Sequence, residues 1–142
     1  MGLRRRTQMK KAELLAEQAR LFSIANELAR KHWGVDYTGT LVLVNRPWRR
    51  MWACFRFNDE TGLQEIRMSA HENAARAEED VLDSLLHELV HWRLHTLGLP
   101  ARDTDDEFIT ECLRVGAALS HATSAQEAYL SYVQKRKFDE AV

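Results

Sequence analysis

The apolar residues of the chain recur at helical spacing in four stretches and at strand spacing in one region. The helical stretches are residues 8–33, 80–97, 105–119 and 124–138, where apolar side chains fall three and four positions apart. The strand region contains three runs, 40–45, 48–57 and 63–70, the last two joined by a turn-rich loop. The pattern predicts an α+β fold: a long N-terminal helix, a small three-stranded antiparallel meander, a central helix and two C-terminal helices.

Alternation in the second and third strands predicts which face of the sheet is buried. One face is apolar, and we expect it to face the core: Met51, Ala53, Phe55, Phe57, Ile66 and Met68. The opposite face combines arginine with tryptophan, including Arg50, Trp52 and Arg56. Arginine beside aromatic rings can bind a phosphate backbone and stack on bases, so these three residues are candidate nucleic-acid contacts. An ordinary solvated sheet face is the alternative.

Length, charge and cysteine content limit the classes of protein to which the chain can belong. A chain of 142 residues with 45% hydrophobic content suits a single domain, residues 1–142, with its core at about 10–120. A net charge of −1 gives no general support for nucleic-acid or membrane-surface binding. We expect no membrane span and, because the basic N-terminal stretch lacks the apolar run of a signal peptide, a cytoplasmic protein. Cys54 and Cys112 form no metal-binding pair motif.

The central helix contains the candidate metal ligands and the candidate catalytic residue. Its residues 87–91 fit the pattern His-Glu-x-x-His, in which the two histidines, His87 and His91, lie on one face and can bind a single Zn²⁺. Glu88 is then placed to act as general base on a water molecule at the metal. Apolar residues cover most of the remaining helix circumference, so the helix should be buried and its polar stripe should line a cleft.

The third metal ligand has two candidates. Asp103 lies in the loop after the helix, just before a Thr-x-x-Glu capping box formed by Thr104 and Glu107. Nineteen residues separate Glu111 from His91, which is the spacing of the third ligand in thermolysin-like enzymes. His95 continues the ligand face, but the helix rise places it about 6 Å beyond His91. We expect it beside the site rather than on the same ion.

The order of these features resembles the SprT-like (Spartan-like) zinc metalloproteases. The resemblance covers residues 10–120 and depends on the meander that ends in Ile-Arg-Met-Ser, on the segment LLHELVHWRLHTLG and on the acidic-Phe segment that follows. It implies that His87 and His91 bind zinc and that Glu88 is the catalytic base. The family's third histidine falls on Asp103 or Thr104, of which only Asp103 offers a carboxylate oxygen.

The sequence therefore predicts a zinc-dependent metallopeptidase that hydrolyses peptide bonds of a protein or peptide substrate. The resemblance implies DNA-associated proteins as substrates. A catalytically weak or inactive module that binds DNA or a protein partner is the alternative, because the third histidine of the family is missing. A purely structural zinc site is a third interpretation, although such sites usually have four protein ligands. The sequence does not specify the oligomeric state.

Overall fold

The computed structural model describes residues 9–141 and confirms the α+β class. Five helices and one three-stranded sheet follow in the order α1 (Lys11–Trp33), β1 (Thr40–Val44), β2 (Ala53–Asn58), β3 (Leu63–Ser69), α2 (Ala70–Ala74), α3 (Glu78–Thr96), α4 (Asp106–Val115) and α5 (Thr123–Ala141). The predicted start of the first helix at residue 8 lies outside the described residues. The short helix α2 was not predicted; Ser69 caps it by accepting a hydrogen bond from the backbone N–H of Glu72 at 3.2 Å.

The long helix α1 forms where the apolar spacing predicts it. Leu21, Ala25 and Ala29 succeed one another at four-residue intervals and are fully buried. The helix ends at Gly34, whose φ of 69° is left-handed and whose N–H donates to the carbonyl of Arg30. This helix packs against β1.

The sheet is mixed, so the predicted antiparallel meander is wrong. Its strand order is β1-β3-β2, with β1 parallel to the central strand β3 and β2 antiparallel to it. Val44 and Ala53, at the two ends of the connection between β1 and β2, lie beside Ser69 and Met68 at the end of β3. The connection therefore crosses the C-terminal end of β3. It is too long for a tight hairpin and contains Pro47, which cannot donate to a strand ladder.

The predicted core face of the sheet is only partly buried. Ile66 and Met68 on the central strand are fully buried, whereas Met51 and Phe57 are exposed. Met51 precedes β2, which begins at Ala53, and Phe57 lies on this edge strand, which pairs only with β3 among the described strands. Burial here depends on strand order, which alternation does not encode.

Contacts divide the chain into two compact units, one up to Leu89 and one from Val90. In the first, α1 packs against β1 and α2 against β3; in the second, α4 packs against α5. A hydrogen bond of 3.0 Å from Thr110 Oγ1 to Tyr132 Oη joins α4 and α5. The division falls inside α3, which is a continuous helix. The single domain over residues 1–142 stays a prediction.

The central helix α3 is as buried as its composition predicts. Its buried apolar residues are Val81, Leu85, Leu86, Leu89, Val90, Trp92 and Leu94. Among the helices that the structure describes, neither this one nor any other has the length and apolar character required to cross a bilayer. The helix ends before Gly98, at φ 70°.

The capping box predicted before α4 does not form. Asp105 is the N-cap residue and makes no capping hydrogen bond to the helix. Its carboxylate instead accepts the backbone N–H of Arg102 at 2.9 Å, which closes the loop between α3 and α4. The helix also ends earlier than predicted, at Val115, because Gly116 takes a left-handed conformation with φ 80°.

Candidate metal centre

Three predicted ligands converge at the candidate metal centre. A ring nitrogen of His87, a ring nitrogen of His91 and a carboxylate oxygen of Asp103 all lie within 4.8 Å of one another. The two histidines are four residues apart on α3 and so share a face of the helix. Asp103 comes from the loop between α3 and α4. Within residues 9–141, no other group of three histidine, cysteine or acidic side chains meets this condition.

The ring of His91 is oriented by the loop that carries Asp103. Its Nδ1 lies 2.5 Å from the carbonyl oxygen of Ala101, which can only accept a hydrogen bond, so Nδ1 is the donor. Nε2 then faces Asp103 Oδ1 at 3.1 Å. The ring also stacks on Phe108, with centroids 4.0 Å apart and planes inclined by 19°. A histidine whose second nitrogen donates to a backbone carbonyl is the usual arrangement of a metal ligand.

The donor atoms of this group could hold a metal ion. A neutral imidazole nitrogen and a carboxylate oxygen at 3.1 Å repel each other unless a proton or a cation lies between them. Metal–ligand bonds of about 2.0–2.2 Å in a tetrahedral site place neighbouring ligand atoms about 3.3 Å apart, close to this distance. Two imidazoles and one carboxylate also leave a coordination position open. The His91 side chain is 15% exposed and that of Asp103 is 41% exposed, so the site is reachable from solvent.

Glu88 lies between the two histidines in the sequence of α3 and is only 7% exposed. Ser69 and Glu88 are the buried polar residues of the part of the chain that the structure describes. Burying a carboxylate is costly unless it is paired or hydrogen-bonded. Burial raises the pKa of the Cys54 thiol on β2, and the Glu88 carboxylate raises that pKa further. Glu88 therefore lies within electrostatic range of β2.

The alternative third ligand, Glu111, is not part of the converging group. Its two carboxylate oxygens accept hydrogen bonds from Arg114 at 2.9 and 2.6 Å, one turn along α4. The i,i+3 spacing of this acid and base is visible in the sequence and is the signal against Glu111 as a ligand. His95 also lies outside the group. Of the two candidates, the structure brings Asp103 to the histidines.

The three candidate nucleic-acid contacts have different surroundings. Arg50 is exposed, whereas Arg56 lies 3.6 Å from Glu65 in an ion pair across the strands. Trp52 is 45% exposed, and the guanidinium of Arg76 lies 4.0 Å from the centre of its ring. Sequence reasoning missed Arg76, because no spacing rule relates residues so far apart in the chain.

Comparisons with known proteins provide no relative from which a role could be transferred. No protein-family model, curated protein or solved structure matches this chain. The function of the site must therefore be inferred from its own residues.

Proposed function

We propose that the protein is a zinc-dependent metallopeptidase of the SprT-like kind. The observation that carries the proposal is the convergence of His87, His91 and Asp103 around the helix that also presents the buried Glu88. Two histidines and one carboxylate with an open position are typical of catalytic rather than structural zinc sites. Zinc in such a site supplies Lewis acidity towards a peptide carbonyl and a water molecule.

Glu88 provides the proton transfer that peptide hydrolysis requires. Its carboxylate accepts a proton from the attacking water as the new C–O bond forms. It then donates that proton to the amine nitrogen as the C–N bond breaks. Because the side chain is 7% exposed, its charge is little screened by bulk water. The hydrogen bond to the carbonyl of Ala101 keeps the His91 ring in one orientation during both proton transfers.

The open edge of β2 supports binding of an extended peptide. In the part of the chain that the structure describes, β2 pairs with β3 alone. A substrate segment can add to such an edge through main-chain hydrogen bonds. The Glu88 carboxylate raises the pKa of the Cys54 thiol on β2, so the proposed base and this strand interact electrostatically.

Replacing Glu88 by Gln tests the proposal. The variant keeps both histidines and Asp103, so zinc should remain bound, while hydrolysis of an unfolded protein such as casein should fall by at least about 100-fold. Glu79→Gln, at an exposed position in the first turn of the same helix, is the matched control and should retain activity. Equal turnover by wild type and Glu88→Gln at equal zinc content would falsify the mechanism.

A binding module with little catalysis is the second candidate. The observation that favours it is that the side chain of Asp103, on a loop, is 41% exposed. An exposed carboxylate on a loop binds a metal ion less tightly than a buried histidine does. In that case purified protein should contain substoichiometric zinc, cleave nothing and bind DNA or a protein partner. The substrates that the family resemblance implies are DNA-associated proteins, and cleavage of histone bound to DNA is the direct assay for them.

A further inference from the structure

The connection between β1 and β2, residues 46–52, is held in place by hydrogen bonds. Ser69 Oγ, at the end of β3, donates to the carbonyl of Arg46 at 2.5 Å. The carboxylate of Glu72 accepts the backbone N–H of Trp48 at 3.1 Å. These two hydrogen bonds anchor the backbone at Arg46 and Trp48, in the first half of the segment.

Arg76 ties this segment to the helix that carries the metal ligands. Its guanidinium stacks on the ring of Trp52 and its Nη2 donates to Ser84 Oγ at 2.9 Å and to the carbonyl of Asp80 at 3.0 Å. Ser84 precedes His87 by three residues, which places the two on neighbouring turns of one helix face. The segment is thus anchored one helical turn from a proposed metal ligand.

The segment carries positive charge that nothing in the described structure neutralises. Arg46, Arg49 and Arg50 are exposed, and none of them forms an ion pair with a residue in the range 9–141. Most other arginines in that range do have a carboxylate partner: Arg20, Arg30, Arg56, Arg67, Arg102 and Arg114. Met51 and Trp52 add exposed apolar surface beside the charges.

We propose that residues 46–52 form a docking surface for acidic side chains of the peptide substrate, an inference that rests on the proposed peptidase function. The segment runs directly into β2, so a peptide on the open edge of β2 continues past it. Charge complementarity then selects aspartate and glutamate on that side of the cleaved bond. An acidic peptide fits better than nucleic acid because the positive charge is confined to one short segment. The whole chain has a net charge of −1 and a pI of about 6.6, whereas nucleic-acid-binding domains are usually strongly basic.

Peptide binding to the zinc-loaded full-length Glu88→Gln protein tests this inference without cleavage. The probes are a fluorescein-labelled peptide of alternating glutamate and alanine, and the same peptide with glutamine in place of glutamate. Anisotropy should show the glutamate peptide binding about tenfold more tightly, with the difference shrinking in high salt. Arg49→Gln/Arg50→Gln should remove the difference. Lys31→Gln/Lys137→Gln, which removes the same charge from exposed positions elsewhere, should keep it.

Equal affinity for the two peptides overturns the inference, as does an equal loss in the lysine control. Labelled oligothymidylate is the third probe. If it binds more tightly than the glutamate peptide and loses affinity in the arginine variant, the segment is a nucleic-acid surface instead. Cleavage by the wild-type protein is measured separately. Cleavage without preference for acidic peptides contradicts the docking surface alone, whereas arginine-dependent binding without any cleavage contradicts the peptidase function alone.

Discussion

The backbone carbonyl of Ala101 determines how the His91 ring can be used. It accepts a hydrogen bond from Nδ1, so Nε2 faces Asp103, two residues further along the same loop. One short loop therefore orients one candidate ligand and supplies another. Such contacts to the outer nitrogen of a ligand raise its basicity and hold its ring plane. Stacking on Phe108 restricts the ring from the α4 side.

Substitution of the two acidic candidates should identify the third ligand. Asp103→Ala removes a carboxylate that lies 3.1 Å from His91 Nε2. Loss of a residue that only hydrogen-bonds to a ligand lowers metal affinity about 10- to 100-fold, so loss of a ligand itself should lower zinc affinity by at least as much. Glu111→Ala removes the partner of Arg114 and should leave zinc affinity unchanged. Competition with a chromogenic chelator measures both. If Glu111→Ala loses zinc and Asp103→Ala keeps its full zinc affinity, the assignment of Asp103 as third ligand is contradicted.

The sequence predicts the helical half of this site better than the loop half. His87, Glu88 and His91 have a fixed relation because four residues span about one helical turn, and no tertiary information is required. The position of Asp103 depends on the course of a loop, which periodicity does not describe. Glu111 lies at a suitable spacing from His91, but its carboxylate forms an ion pair with Arg114 on the same helix. Local competition of this kind can be read from the sequence, whereas the Ala101 carbonyl and the Arg76–Trp52 contact cannot.

At the scale of the elements, the alternation of apolar and polar residues predicts strands but does not predict their order in the sheet. The first and third strands lie close to the predicted runs, whereas β2 begins at Ala53, five residues after the predicted start at residue 48. The strand order depends on the connection before β2. Contacts of that connection with Ser69 and Glu72 carry it over the end of β3. They are long-range contacts, and the apolar pattern of β2 is compatible with either position in the sheet. The same crossing exposes the arginines proposed to dock acidic substrate.

A charged cluster joins α1 to the start of α3 and should make stability depend on pH. Arg20 donates to both Glu17 and Glu78, at 2.7 Å and 2.6 Å in the shortest contacts. Hydrogen bonding to Arg20 holds the pKa of Glu78 below its ordinary value of 4.5. A depressed carboxyl pKa contributes stability above the ordinary value, and that contribution is lost as the pH falls through the lower value of the folded state.

Glu78→Gln should therefore be less stable than wild type at pH 7, and the difference should vanish in acid well below pH 4.5. The loss should stay below about 1 kcal/mol, because the Glu78 side chain is 55% exposed and solvent screens the pair. Urea denaturation across this pH range measures it. Glu79→Gln keeps Glu78 and should show a smaller change at pH 7. A difference between Glu78→Gln and wild type that grows towards low pH contradicts the assignment.

At the scale of the whole molecule, α3 spans the division between the two compact units. It runs without a break through the point where contacts divide the chain, and seven of its apolar residues are buried. A helix with so much buried apolar surface is stable only when the elements around it are folded. The length of the chain predicts one cooperative domain, and the continuity of α3 gives a physical reason to expect it.

Zinc should raise the stability of the whole chain in a single transition. A ligand at 100 times its dissociation constant stabilises the folded state by about 2.7 kcal/mol, which for a chain of this size raises the Tm by about 5 to 10 °C. Circular dichroism and tryptophan fluorescence should give the same shift, since Trp48 and Trp92 lie in different compact units. Glu88→Gln should retain the shift, whereas Asp103→Ala should lose most of it. Two separate transitions, only one of which responds to zinc, would show that the units unfold independently and that the single-domain prediction is wrong.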